Sequence, residues 1–138
     1  MDCIFCDIVQ GKAPAEILYE NPDIVAILDV RPIHFGHTLV MPRRHYKDFL
    51  EVPKDELKGL MDTTQRVAAA LVQSFNLSGF NFFANNGKIA GQSVFHFHIH
   101  ITPRYAADNI RFELQLKEYE GAAMAETAAV IRKIIQSI

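Results

Sequence analysis

His96, His98 and His100 alternate with apolar residues in the run Ser93-Val94-Phe95-His96-Phe97-His98-Ile99-His100-Ile101. A period of two is that of a β-strand, whose successive side chains point to opposite faces. Phe95, Phe97, Ile99 and Ile101 then share the face that can enter a core, and three imidazoles line the other face about 7 Å apart. Solubility alone would place Thr, Lys or Glu there. A neutral imidazole attacks electrophiles at pH 7 without a separate base, donates when protonated, and ligates metals. Two imidazoles on one strand face could also hold a catalytic zinc with an open water position, so a zinc hydrolase is a rival reading.

A second constellation stands at the N-terminus, Cys3-Ile4-Phe5-Cys6, and it contains the only two cysteines of the chain. Such a pair is a redox couple, half of a metal site, or two packed thiols. No βαβ pattern surrounds it, which argues against a thioredoxin-type role.

Short elements must position these residues. Cys3 to Val9 reads as a short helix ended by Gly11 and Pro14, and Ile17 to Tyr19 and Ile24 to Asp29 as strands around the turn Asn21-Pro22-Asp23. His37 to Met41 and Gly79 to Asn85 read as further strands, and the second leads to the histidine strand through a polar, glycine-bearing loop. Leu57, Leu60, Met61, Thr64, Val67, Ala68, Leu71, Val72 and Phe75 fall on one stripe and predict a helix over Lys54 to Phe75. Alternation of Ile110, Phe112, Leu114 and Leu116 predicts an edge strand, and Tyr119 to Ser137 a last helix. Short consecutive strands with helices between them indicate an antiparallel α+β domain.

The chain has 138 residues, 49% of them hydrophobic, and a net charge of −2. That is a single domain able to bury a core, and neither a disordered tail nor a basic nucleic-acid binder. Arg43, Arg44 and Lys47 are a short basic cluster that reads as solvated surface. No apolar run approaches the ~20 residues of a membrane span, and Met1 to Asp7 lacks the pattern of a secretory signal. The expected location is the cytoplasm, with reduced thiols.

The stretch Gly91 to Ile101 strongly resembles the signature of the histidine triad (HIT) family. Three other landmarks occur in order: Cys3 to Val9, Leu28-Asp29-Val30-Arg31-Pro32, and Gly36 to His45. The resemblance covers about Cys3 to Arg104, closest to the small nucleotide-hydrolysing members. It implies a single HIT domain over residues 1–138, with a core of about 3–104 and an extension over 105–138. The implied fold is a five-stranded antiparallel sheet with a long helix, the sheets of two chains adjoining in a homodimer.

The resemblance also implies roles. His98 would attack the α-phosphorus and form a nucleotidyl-histidine that water then hydrolyses, its other nitrogen held by a backbone carbonyl. His100 and His37 would be phosphate-side donors, and Ser93 would contact the leaving group. Gln92 and Asn85 would hold the phosphate and sugar region, and Asp29 the ribose hydroxyls. Phe5, Ile8, Ile17, Leu28 and Val30 are candidates for the base pocket. Cys3 and Cys6, completed by His45 and His96, would hold a structural zinc. His34 has no counterpart and reads as a loop residue.

The implied substrate is a purine nucleotide, especially of adenosine. The Gly-Gln-Ser segment favours a nucleoside phosphoramidase, with a dinucleoside polyphosphate hydrolase as the alternative; a non-catalytic nucleotide-binding module is a further rival. No nucleic-acid or membrane partner is expected.

Overall fold

The structure is a computed structural model and describes residues 2–138. Its first helix, α1 (Ile4–Val9), starts at Cys3, whose Sγ accepts from the Cys6 backbone N–H. Strands β1 (Ile17–Glu20) and β2 (Ile24–Leu28) form a hairpin. Its turn is closed by Asn21 Oδ1, which accepts from the N–H groups of Asp23 and Ile24. After β3 (Thr38–Pro42) comes helix α2 (Lys54–Phe75), which ends at Asn76 with φ of 50°, a left-handed cap that a short amide tolerates. Strands β4 (Gly79–Phe83) and β5 (Ile99–Arg104) complete one antiparallel sheet of order β1-β2-β3-β5-β4, and helix α3 (Ala123–Ile135) follows.

Helices cover both faces of the central strands. Ala26, Val40, Ile99 and Ile101 pack against Leu60, Val67, Ala68 and Leu71 of α2. Val25, Ile27, Leu39 and Met41 pack against Phe5 and Ile8 of α1. This explains why β2 and β3 read as continuous apolar runs rather than alternating ones. Each fully buried Leu or Val contributes about 1.5–3 kcal/mol, so the α2 stripe is a principal anchor of the sheet.

Four expectations for the elements need correction. The histidine strand does not run from Ser93 to Ile101: β5 begins at Ile99, and residues 93–98 form an irregular approach. There the Phe97 N–H donates to the Tyr46 carbonyl instead of to a ladder partner. The histidine face is not an outer face either, because His96 is fully buried and His98 only 9% exposed beneath the α1 side of the fold. The predicted edge strand over Ile110 to Leu116 does not form, and the last helix is shorter than expected.

The segment after β5 is tied down at its start. Arg104 donates from Nε and Nη2 to the Asp108 carboxylate, from Nη1 to Asn81 Oδ1, and from Nη2 to the Ile110 carbonyl. Beyond it, α3 buries none of its residues, and Val130, Ile131, Ile134 and Ile135 are all exposed.

Candidate active site

Registry of the sheet brings the histidines together. Leu39 of β3 lies opposite His100 of β5, and Phe83 of β4 flanks His100 on the other side. The Phe83 ring stacks on the His100 ring at 4.7 Å with an interplanar angle of 8°. His37 sits just before β3, where Gly36 makes the approach possible. Gly36 has φ of +91°, and a Cβ there would lie 3.1 Å from Pro103 Cγ and 3.3 Å from Phe75.

Hydrogen bonds set the tautomer of each ring. Nδ1–H of His98 donates to the His96 carbonyl at 2.7 Å, which leaves Nε2 unprotonated. The Ile33 N–H donates to His37 Nδ1 at 3.0 Å. A backbone N–H can only donate, so neutral His37 carries its proton on Nε2 and gives it to Nδ1 of His100, 2.9 Å away. His100 then carries its own proton on Nε2. The result is one ring with a free lone pair beside another with a free N–H, their centroids 4.8 Å apart.

The surroundings favour the neutral form of all three rings. Burial lowers the pKa of His98 and of His37, against the Asp29 charge acting on both. Burial and the adjacent His98 and His37 push His100 down to about 4. Neutral His37 and His100 each still carry an Nε2–H that can donate.

A cleft of about 540 Å³ opens onto these rings. Phe5, Ile8, Leu28, Asp29, Val30 and Ser93 line it together with His98 and His100. Phe5 meets the His98 ring edge-on at 4.9 Å. Asp29 lies 3.7 Å from His37 Nε2, and its Oδ1 accepts from the Arg31 N–H. Arg31, Ile27 and Leu39 also line the cleft, though the sequence reading gives none of them a site role. Ile17 is not part of this wall. Asn85 is half-buried, with its amide under Gly91 at the base of the loop that leads to the triad.

Gln92 is placed differently from expectation. It is buried, its Nε2 donates to the carbonyls of Lys47 and Val94, and its Oε1 accepts from the Gly87 N–H. Both of its donors are used within the protein, so its amide braces the loop carrying Ser93. His34 is a loop residue as expected, tilted against the Tyr105 ring at 4.4 Å.

Next to the cleft, Cys3, Cys6, His45 and His96 bring one donor atom each within 4.8 Å of one another. The Cys3 Sγ to His96 Nδ1, Cys6 Sγ to His45 Nδ1 and Cys6 Sγ to His96 Nδ1 distances are 3.5, 3.4 and 3.6 Å. Zinc bonds of about 2.3 Å to sulfur and 2.05 Å to nitrogen at the tetrahedral angle would set such pairs about 3.5 Å apart. His96 Nε2–H donates to the Pro42 carbonyl at 2.7 Å, so its Nδ1 lone pair faces the sulfurs. Burial, with the nearby Cys3, pushes the Cys6 thiol up to about 11, and a cation would draw the thiolate back. The four residues fit zinc, and His98 is outside their set.

The HIT domain family matches residues 10–107 of the chain. The HIT-like protein MJ0866 of Methanocaldococcus jannaschii is 40% identical over 129 residues, which are 86% of this chain and 99% of that one. Adenylylsulfatase HINT3 of Arabidopsis thaliana is 38% identical over 107 residues, 78% of this chain and 54% of that protein. The crystal structure of a Zn-bound histidine triad family protein from Mycobacterium smegmatis superposes with a TM-score of 0.76 at 38% identity, covering 94% of this chain and 98% of that one.

Proposed function

The chain belongs to the HIT domain family, and from that premise we propose that it is a nucleotide hydrolase that works at the α-phosphate of adenosine or other purine nucleotides through His98. The observation that carries this reading is the pairing of a lone pair on His98 Nε2 with an N–H on His100 Nε2 at the end of one cleft. In the first step Nε2 of His98 bonds to phosphorus and the bond to the leaving group breaks. An amine leaves with the bonding pair and takes a proton through the solvent-facing Ser93 hydroxyl. In the second step water bonds to phosphorus, the phosphorus–Nε2 bond breaks, its electron pair returns to His98, and the water's proton passes to solvent. Throughout, His100 Nε2–H donates to a non-bridging oxygen, where negative charge builds up.

Phe5, Ile8, Leu28 and Val30 would form the apolar wall for the base, and Asp29 would accept from the ribose hydroxyls. Of the leaving groups, an amine is favoured, as in a nucleoside phosphoramidase; a dinucleoside polyphosphate is the alternative. Cys3, Cys6, His45 and His96 would hold one zinc, which when bound cross-links α1 to the approach to β5 and supplies rigidity only. Against the zinc-hydrolase reading, His96 Nδ1 faces the cysteine sulfurs and His98 lies outside that ligand cluster, so the two histidines do not share one metal.

The proposed unit is a single domain over residues 1–138, with its core over 3–104 and an extension over 105–138. Two copies pair as a homodimer, for which the exposed apolar stripe of α3 is one surface. Both cysteines are free, and the reading places the protein in the cytoplasm, where thiols stay reduced. Among the described residues no helix is long and apolar enough to cross a membrane.

The test compares kcat/KM for adenosine 5′-phosphoramidate, diadenosine tetraphosphate and adenylyl sulfate, together with mass spectrometry of quenched enzyme. A nucleotidyl adduct on His98 and loss of turnover by at least ~10³-fold in His98→Ala support the reading. Turnover that survives in His98→Ala and disappears on chelation replaces it with the zinc-hydrolase reading.

A further inference from the structure

A second cavity, of about 430 Å³, adjoins the cleft. The two share Ile4, Ser93 and Val94, so Ser93 stands at their junction. On the far side of that junction the walls change character: Lys47, Phe95, His45 and Asp2 replace the aliphatic residues of the base side.

Lys47 is fixed in this place by its backbone. Gln92 Nε2 donates to the Lys47 carbonyl at 2.7 Å and to the Val94 carbonyl at 3.1 Å. The Lys47 N–H donates to Glu51 Oε2 at 2.8 Å. One buried amide therefore ties the lysine to the Ser93 loop, while among the described residues the ammonium itself forms no ion pair. The Asp2 carboxylate lines the same cavity, as do Cys3 and His45 of the proposed zinc cluster, so outside that cluster the wall carries one positive and one negative side chain. That balance suits a single negative charge near Lys47 better than a chain of phosphates.

We infer that the cavity beyond Ser93 is a leaving-group subsite in which Lys47 selects leaving groups that carry one negative charge. The inference rests on the reading of His98 as nucleophile and of Ser93 as the leaving-group contact. A nucleotide whose base lies against Phe5 and Leu28 and whose α-phosphorus lies at His98 directs its leaving group past Ser93. The apolar body of that group would lie on Phe95 and its charge near Lys47. The short basic run that reads in sequence as solvated surface thus has one member facing the reaction.

The experiment measures kcat/KM for a matched pair of adenosine 5′-phosphoramidates, N-carboxymethyl and N-carbamoylmethyl, which differ in charge and hardly in size. Wild-type protein should prefer the carboxylate by about three- to tenfold, the size of a solvent-facing charge contact. Lys47→Gln should bring the ratio towards one and Lys47→Arg should keep it, a rescue that a merely structural lysine would not show. An unchanged ratio in Lys47→Gln overturns the inference, as does a wild-type ratio of one. Adenylyl sulfate, measured alongside, tells a carboxylate preference from a general oxyanion preference: equal loss in Lys47→Gln extends the subsite to sulfate, and loss for sulfate alone overturns the carboxylate assignment. Turnover that persists in His98→Ala, by contrast, is failure of the underlying reading.

Discussion

Nε2–H of His37 points at Nδ1 of His100 across 2.9 Å, and the Ile33 N–H fixes the direction of that bond from behind by donating to His37 Nδ1 at 3.0 Å. A main-chain group thereby sets the protonation pattern of a ring two hydrogen bonds away. His37 is a positioning residue on this account: it keeps the His100 proton on Nε2, where it faces the cleft. His37→Ala should lower kcat about 10- to 100-fold, because it leaves the buried His100 Nδ1 without its donor, a cost of about 1–3 kcal/mol. KM should change little, and His37→Gln, which can still donate, should recover part of the rate. Steady-state kinetics on adenosine 5′-phosphoramidate provide the check, and an equal loss in both variants would remove the relay from the account.

Zinc should bind one per chain and act on stability before chemistry. At a free concentration one hundred times its Kd it adds about 2.7 kcal/mol, which in a domain of this size raises Tm by on the order of 10 °C. Cys6→Ser or His45→Ala should abolish that rise, because each removes a donor from the cluster of four. Native mass spectrometry and thermal melts with and without a chelator measure both quantities. A metal-to-chain ratio of zero in protein grown with zinc would contradict the fit.

His100 should make the fold acid-sensitive. Its pKa drops from 6.5 to about 4 because of burial first and the neighbouring His98 and His37 second. Between those values the unfolded chain binds a proton that the folded chain refuses, so stability is full above about 6.5 and declines as pH falls towards 4. His100→Asn should flatten part of this decline in urea titrations at saturating zinc, where ligand protonation is common to both proteins. An identical slope in the two proteins would show that His100 does not carry it.

Gly36→Ala should destabilise the fold by about 1–3 kcal/mol, through the left-handed backbone and the Pro103 contact together. The strain sits one residue before His37, so the variant should also lose activity beyond what its folded fraction explains. Urea unfolding and kcat measured on the same preparation separate the two effects.

How far these relationships were legible in sequence depends on whether the cause is local. Alternation identified Phe97, Ile99 and Ile101 as core, since period-two burial is a local property, but it also included Phe95, which is exposed in the irregular approach to β5. The same alternation overextended the strand, because Phe97 pairs with Tyr46, a partner 51 residues away in a loop that no periodicity marks. The Cys3, Cys6, His45 and His96 grouping followed from family likeness, and the geometry brings all four together. Other parts left no signal in side-chain type. The Ile33 N–H and the Pro42 and His96 carbonyls are main-chain groups, and the stacking of Phe83 on His100 depends on sheet register. The family resemblance implies a ligand contact for Gln92, and sequence alone does not decide the matter, because a polar loop residue looks the same whether it faces substrate or braces a neighbour.

The α3 stripe should mediate self-association. Val130, Ile131, Ile134 and Ile135 are each more than half exposed, a density of apolar surface on one helix that marks an interaction site. Arg104 and Asp108 anchor the start of the extension, and the ion pair holds the Asp108 carboxyl well below the usual carboxylate range, so the anchor persists at any ordinary pH. Replacing Ile131 and Ile135 with Asp puts charge on the stripe without shortening the chain, and the core over 3–104 does not contact these side chains in bulk. Analytical ultracentrifugation should then show the mass falling from two chains to one, with Tm little altered at low concentration. A dimer that persists in the double variant would assign self-association to the sheet and α2 instead.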